Sequence, residues 1–377
     1  MIRRTVKLVE VCLIRRGTTI TKKQTIDGDV PVIGGGTKPT YFHNKSNRDQ
    51  NCITISSSGA SAGFVNKWNV PIFASDCSTV EPKDDKQLNK FIYYYLLSRQ
   101  QFIYENFRSG AAQPHVYAKD LETLDYPIVP LEEQKQIVKK LEEVFREIDN
   151  SENHLRDRLR NLSCLFNSYI EEKLRDLKDS FPIVPLEKVI NGVQYGTSKK
   201  CSKRGKLPVL RMGNMQSGKF DLNDLVFLDD QIEAEKYKVR EFDVFFNRTN
   251  SPLHVGKAAI WEGQEKALFA GYLIRINYDK DKINPYFLNF YLNAQSTRNY
   301  GYSVMSESIN QANINGTKLK QYPFVKADLD TQKSLSNKFC DLEKRISDLI
   351  NLTKKSLELY GKLRKKILYG EFGNEES

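Results

Sequence analysis

From Leu131 to about Leu177 apolar residues recur at heptad spacing. Leu141, Ile148, Leu155, Leu162 and Tyr169 form one line, and Phe145, Leu159 and Phe166 a second, with Glu152 and Lys173 as polar interruptions. No glycine or proline falls between Pro130 and Pro182. This pattern predicts a single helix within 131–180 of about 48 residues, roughly 70 Å at 1.5 Å per residue. A second such stretch lies within 328–377, with Leu335, Leu342 and Leu349, then Phe339 and Ile346, then Leu359, Leu363 and Ile367. A long helix whose apolar seam its own domain leaves uncovered needs a partner helix. The nearest partner is the other helix of the same chain, as an intramolecular antiparallel coiled coil.

The blocks on either side, 1–130 and 181–327, have another texture. Short β-branched runs alternate with turn clusters such as Gly34-Gly-Gly36 and Ser56-Ser-Ser-Gly-Ala-Ser61, which predicts strand-rich α/β units. The two blocks also resemble each other. Val6-Lys-Leu-Val-Glu-Val11 matches Val184-Pro-Leu-Glu-Lys-Val189, and Val30-Pro-Val-Ile33 matches Leu207-Pro-Val-Leu210. Phe91-Ile-Tyr-Tyr-Tyr-Leu96 matches Phe287-Leu-Asn-Phe-Tyr-Leu292, Gln113 matches Gln311, and Tyr126-Pro127 matches Tyr322-Pro323. Leu131-x-x-Gln134-Lys135 matches Leu329-x-x-Gln332-Lys333. The matches keep chain order, and their offset drifts only through small insertions, so the chain reads as a duplication. Its period is far too long for a solenoid. The predicted fold class is α+β, with two pseudo-symmetric globular α/β domains separated by two long helices.

Composition narrows the function. A length of 377 residues allows two or three domains, and 40% apolar with 11% aromatic residues supplies real cores. The longest apolar run, Phe91–Leu97, is far short of a membrane span, and the first residues lack the apolar stretch of a signal peptide. Six scattered cysteines without a C-x-x-C, and four isolated histidines, fit neither a zinc site nor a disulfide framework. The expectation is therefore a cytoplasmic protein with reduced thiols and no metal. The net charge of +11 is unevenly placed: +5 in 1–130, −2 in 131–180, +7 in 181–327 and +1 in 328–377. Two basic blocks suit a polyanion, and two similar domains at fixed spacing suit two sites on one linear partner.

Tyr126-Pro-Ile-Val-Pro-Leu-Glu-Glu-Gln-Lys-Gln-Ile-Val-Lys-Lys-Leu141 resembles the junction at which a target-recognition domain enters its conserved helix in specificity (S) subunits of Type I restriction–modification enzymes. Phe242-Asp-Val-Phe-Phe-Asn-Arg-Thr-Asn250 followed by Val255-Gly-Lys-Ala-Ala259 resembles a further segment of that family, and the order domain, helix, domain, helix matches over the whole chain. The second junction departs, reading Leu329-Asp-Thr-Gln-Lys-Ser, and Ile55-Ser-Ser-Ser58 lacks the counterpart of Arg248. The resemblance implies target-recognition domains at 1–130 and 181–327, and conserved helices at 131–180 and 328–377. It implies a subunit without catalysis of its own, which reads a split double-stranded DNA target and holds two methyltransferase (M) subunits, with helix length setting the spacer. Those subunits bring S-adenosylmethionine; restriction subunits, where present, add ATP and magnesium chemistry. The chain itself is expected to bind no cofactor.

No catalytic constellation competes. Gly213-Asn-Met-Gln-Ser-Gly-Lys219 fits a P-loop until Phe220, which stands where Ser or Thr must meet magnesium. For binding, the informative residues are guanidiniums, amides, hydroxyls and amines in loops, because Arg reads guanine, Asn and Gln read adenine, and Lys and Ser hold phosphates. In the first domain these are Lys22, Lys38, Tyr41, Ser57, Ser58, Arg108, Gln113 and His115. In the second they are Thr197, Lys199, Lys200, Arg211, Asn214, Asn247, Arg248, Thr249, Asn250, Asn310, Gln311 and Asn313. Two rival functions stay open: a DNA-binding scaffold or regulator without a methyltransferase partner, and an enzyme using the incomplete P-loop.

Overall fold

The computed structural model describes residues 4–110, 112–263, 265–308 and 311–373. The chain divides into two compact units: one runs to Arg156 and resumes at Lys354, and the other spans Asp157–Thr353.

In the first unit, strands Cys12–Arg16, Cys77–Pro82, Cys52–Ser56 and Val65–Trp68 form, in that order, an antiparallel sheet. A three-stranded sheet, Tyr41–His43, Val30–Ile33 and Phe73–Ala74, lies alongside in the chain, its last pair parallel. Thr5–Lys7 pairs with Asp125–Pro127 to bring the two ends of the domain together. The second unit repeats this arrangement strand for strand. Its four-stranded sheet runs Ile190–Tyr195, Leu273–Tyr278, Val244–Asn247, Ala258–Ile260. Its three-stranded sheet runs Val226–Phe227, Pro208–Leu210, Leu268–Phe269, again with the last pair parallel, and Ile183–Pro185 pairs with Pro323–Val325. The duplication in the sequence is thus a duplication of topology. Gly17 and Gly196 occupy the same point in both copies. A Cβ there would lie 2.2 Å from the carbonyl oxygen of Ser75 or of Phe269, so only glycine lets the chain pass.

The second copy carries additions, a hairpin of Met215–Gln216 with Lys219–Phe220 and a helix Gln231–Tyr237, and it extends to a small sheet of Thr249–Asn250, Gln311–Asn313 and Ser306–Ser308 what the first copy has as the single bridges Ser58–His115 and Ser109–His115. The hairpin is the incomplete P-loop. Its turn places Ser217 and Gly218 at positive φ, no helix follows, and Lys219 faces Glu343 at 3.4 Å and Glu262 at 3.9 Å. An amine held between two carboxylates is not presented to a phosphate.

The long helices are Leu131–Ser180 and Leu329–Phe372. Asp328 caps the second, its carboxylate accepting from the Thr331 N–H at 2.8 Å, and Gly373 at φ +80° terminates it. Within the first unit they run antiparallel: Arg364 reaches Asp149 and Glu152, while Lys140 reaches Glu371. Glu152, a polar break in the heptad pattern, is therefore answered by a guanidinium on the partner helix. Within the second unit Tyr169 meets Phe339 edge-on at 6.0 Å. Leu141 and Ile148 are buried, and Leu155, Leu162, Tyr169, Leu335, Leu342 and Leu349 are half-buried. The deepest line of the second helix is Gln332, Phe339, Ile346 and Thr353, so the leucines at 335, 342 and 349 flank the seam.

Each core is one domain joined to helix. In the first unit Phe91, Tyr95 and Tyr126 pack with Leu141, Phe145, Leu368 and Phe372. In the second, Phe287, Tyr291 and Phe324 pack with Leu174, Leu177 and Phe339. No helix among the described residues is long and apolar enough to cross a membrane.

Candidate nucleic-acid interface

The strand Val244–Asn247 ends in the middle of its sheet, and the next residues leave it. The Arg248 N–H donates to Tyr272 O (3.0 Å), and its own carbonyl accepts from the Ile314 N–H (2.8 Å), so its backbone is fixed on both sides. Its guanidinium lies 4.9 Å over the Tyr195 ring and donates to Gly271 O at 3.4 Å, while its Nε has no protein partner. The Tyr195 hydroxyl is in turn held by the Gly316 N–H at 2.7 Å. Thr249 accepts from the Asn313 side-chain amide at 2.7 Å, and Asn250 accepts from the Ser251 N–H at 2.8 Å. Gln311 lies exposed on the neighbouring strand. One end of the sheet therefore gathers a guanidinium stacked on a tyrosine with amides, the chemistry that reads base edges, while Thr249, expected among the DNA contacts, is buried.

The first unit builds the same backbone with other side chains. Ser57 takes the place of Arg248: its N–H donates to Asp76 O (3.1 Å), and its carbonyl accepts from the Val116 N–H (3.0 Å). The Ser58 hydroxyl bonds the Asp76 carboxylate and its backbone bridges to His115, just as Thr249 pairs with Asn313. His115 stacks on Tyr117 at 6.1 Å, and Gln113 is exposed beside it. Ser57 thus stands where the other unit has a guanidinium, with the Asp76 carboxylate beside it on Ser58, so the two surfaces differ in charge on one skeleton.

The remaining expected contacts separate into three groups. Lys22, Lys38 and Lys200 are exposed. Lys199 is exposed but pairs with Asp230, and that hydrogen bond raises its pKa. Arg211 pairs with Asp224 at 3.0 Å, and the Tyr41 hydroxyl donates to Ile20 O at 2.6 Å. Asn214, Thr197 and Asn247 differ from expectation because they point inward. Asn214 accepts from the Arg211 N–H and donates to the carbonyls of Asp221 and Asp224, which uses up its amide. The buried Thr197 hydroxyl donates to Glu233, and Asn247, fully buried, donates to His254 O. Arg108 also turns onto its own chain, to the carbonyls of Ala62 and Ala60. Asn310 lies outside the described residues. Sequence reasoning did not place Asp76 or Tyr272 at this surface, because both arrive there through pairing between distant segments.

Gln134 and Gln332, the matched glutamines of the two helix starts, are buried and do the same work. Gln134 donates to Val129 O and Lys86 O and accepts from the Leu88 N–H. Gln332 donates to Ala327 O and Lys282 O and accepts from the Asn284 N–H. Each ties its long helix to the loop that starts the domain's aromatic helix.

The fold is that of a duplicated sheet-and-loop domain, each copy packed on part of a helix pair. Comparison with known proteins shows what the chain is similar to. The family model for the Type I restriction modification DNA specificity domain matches residues 4–161. The putative type I restriction enzyme MjaX specificity subunit of Methanocaldococcus jannaschii is 29% identical over 199 residues, 52% of this chain and 44% of that protein. The match thus spans less than half the length of that relative. The EcoKI specificity subunit of Escherichia coli K12 is 24% identical over 342 residues, 81% of this chain and 73% of that protein. Among solved structures, a chain of a type I R-M system superposes with a TM-score of 0.71 at 15% identity, covering 98% of this chain and 97% of that one. The HsdS subunit from Thermoanaerobacter tengcongensis gives 0.55 at 16% identity, covering 99% and 97%. Residues 4–161 match the type I restriction modification DNA specificity domain, and the chain is similar to the specificity subunits of type I restriction enzymes.

Proposed function

We propose that this chain reads a bipartite DNA target, one half-site per unit, and holds methyltransferase subunits on that target. The observation that carries the reading is the pair of matched loop clusters, with Ser56-Ser57-Ser58 on one skeleton and Asn247-Arg248-Thr249 on the other. Two copies of a scaffold with different side chains at equivalent points suit two half-sites of different sequence. The excess positive charge of the two domains supplies the phosphate attraction that any such reader needs, so binding falls steeply with salt. Lys22, Lys38 and Lys200 serve that attraction, while Arg248, Asn250, Gln311 and Asn313 in one unit, and Ser57, Gln113 and His115 in the other, face bases. The chain contributes recognition and no catalysis. In this reading S-adenosylmethionine belongs to the two methyltransferase subunits, ATP and magnesium to any restriction subunits, and the assembly works in the cytoplasm. The test is to select DNA from a random pool with the assembled complex. Two short fixed sequences around an unspecified spacer are expected; one continuous motif, or no enrichment, would overturn the reading.

A further inference from the structure

The loop that follows the central strand is held the same way in both units, by residues the duplication did not conserve in place. In the second unit the loop runs from Arg248 to Gly256. Arg298, on the helix Gln295–Val304, donates from Nη1 to Val255 O (2.6 Å) and from Nη2 to Leu253 O (3.1 Å). Its guanidinium lies 5.2 Å over the Tyr302 ring and also donates to the Tyr302 hydroxyl at 2.9 Å. In the first unit the loop runs from Ser57 to Gly63. Arg108 donates from Nε to Ala62 O (2.6 Å) and from Nη2 to Ala60 O (3.3 Å), with its guanidinium 3.9 Å over the Tyr104 ring.

The braced carbonyls correspond. Each loop closes on a glycine at positive φ whose N–H returns to the last strand residue: Gly63 to Ser56 at 2.7 Å and Gly256 to Asn247 at 2.8 Å. Counting back from that glycine, the arginine holds the first and third carbonyls in both units. The arginine and its tyrosine are four residues apart in each case, but the tyrosine comes first in one copy and last in the other. The same clamp is therefore assembled from opposite directions. In the second unit's loop Leu253, whose carbonyl the clamp holds, is 71% exposed.

We propose that Arg298 and Arg108 are positioning residues that hold each recognition loop in its DNA-reading shape before DNA arrives. This rests on the reading of these loops as the DNA-facing surface. Two charge-assisted hydrogen bonds to backbone carbonyls remove the loop's freedom without using a base-reading side chain. A loop ordered in advance does not spend binding energy on ordering, and that energy then separates right from wrong sequence. Each clamp serves only its own half-site.

The test uses the full chain assembled with its methyltransferase subunits. Affinity is measured for the cognate DNA and for DNAs with either half-site scrambled, together with the melting temperature. Arg298→Ala is expected to cost about tenfold in the preference for the second unit's half-site and to leave the other preference unchanged. Arg108→Ala does the reverse. Arg298→Lys, which keeps the charge and one donor, recovers part of the loss. Tyr302→Phe, a mild variant that keeps the fold, shows a smaller loss in the same half-site. Preferences unchanged while the melting temperature falls would overturn the proposal, as would equal losses at both half-sites. A wild-type complex with no preference for either half-site overturns the DNA reading itself, and the clamp proposal with it.

Discussion

Replacing Gln332 with alanine probes how the second domain is joined to its helix. The side chain is 1% exposed and makes three hydrogen bonds: to Lys282 O at 3.1 Å, to Ala327 O at 2.8 Å, and from the Asn284 N–H at 3.0 Å. Alanine removes all three and leaves three backbone groups without a partner. Each such buried group left unpaired costs roughly 1–3 kcal/mol, so a loss of about 3–5 kcal/mol is expected. That is a large share of the roughly 5–15 kcal/mol that keeps a domain folded. Gln332→Glu sharpens the test, because the carboxylate keeps the acceptor for Asn284 but turns an oxygen toward two carbonyl oxygens; it is expected to cost at least as much. Urea unfolding followed by circular dichroism reads the change from the midpoint and slope. Gln134→Ala, with the equivalent bonds, is expected to match it in the first unit. A loss below about 1 kcal/mol for Gln332→Ala would refute the reasoning that the matched glutamines are joints of the fold.

Two further outcomes follow from the account. Burial pushes the thiols of Cys12, Cys52 and Cys77 up to about 12, whereas Cys164 is exposed on the long helix. Alkylation at pH 8 followed by mass spectrometry should therefore label Cys164 in the native protein and leave those three untouched until denaturant is added; native labelling of Cys77 would contradict the packing. If helix length sets the spacer, deleting 154–160 and 350–356 removes one heptad from each helix. At about 1.5 Å per residue that is roughly 10 Å, or about 3 base pairs, and the selected motif should keep both half-sites with a shorter spacer. Altered half-sites with an unchanged spacer would count against it.

Much of the fold was legible because its signals are local. The heptads marked both helices, and short matched segments such as Val30–Ile33 with Leu207–Leu210 exposed the duplication, since each is a core strand in its copy. Other features depend on long-range pairing and left no local trace. Nothing near Phe73-Ala74 announces its parallel pairing with Val32 and Ile33, and nothing near Ser57 announces Asp76. The loops show the same limit from the other side. Arg108 and Asn214 have the residue types and loop positions of DNA readers, yet the nearest acceptors for both are backbone groups of their own unit. Arg298 escaped notice because a helical arginine beside a tyrosine has no signature until the loop carbonyls are in place. Arg248 differs from Arg108 and Asn214 in that its backbone is fixed by pairing on both sides and its buried Nε has no protein partner.

The central claim is that each unit reads its own half-site, and a map of N6-methyladenine in a host carrying this gene tests it most directly. With the wild-type gene the account predicts one bipartite methylated motif that disappears when the gene is deleted. With Arg248→Ala it predicts relaxed sequence in one half-site only, by roughly 1–3 kcal/mol of lost discrimination at the contacted base, with the other half-site and the spacer unchanged. A map indifferent to the gene, or a substitution at Arg248 that changes both half-sites together, would contradict it.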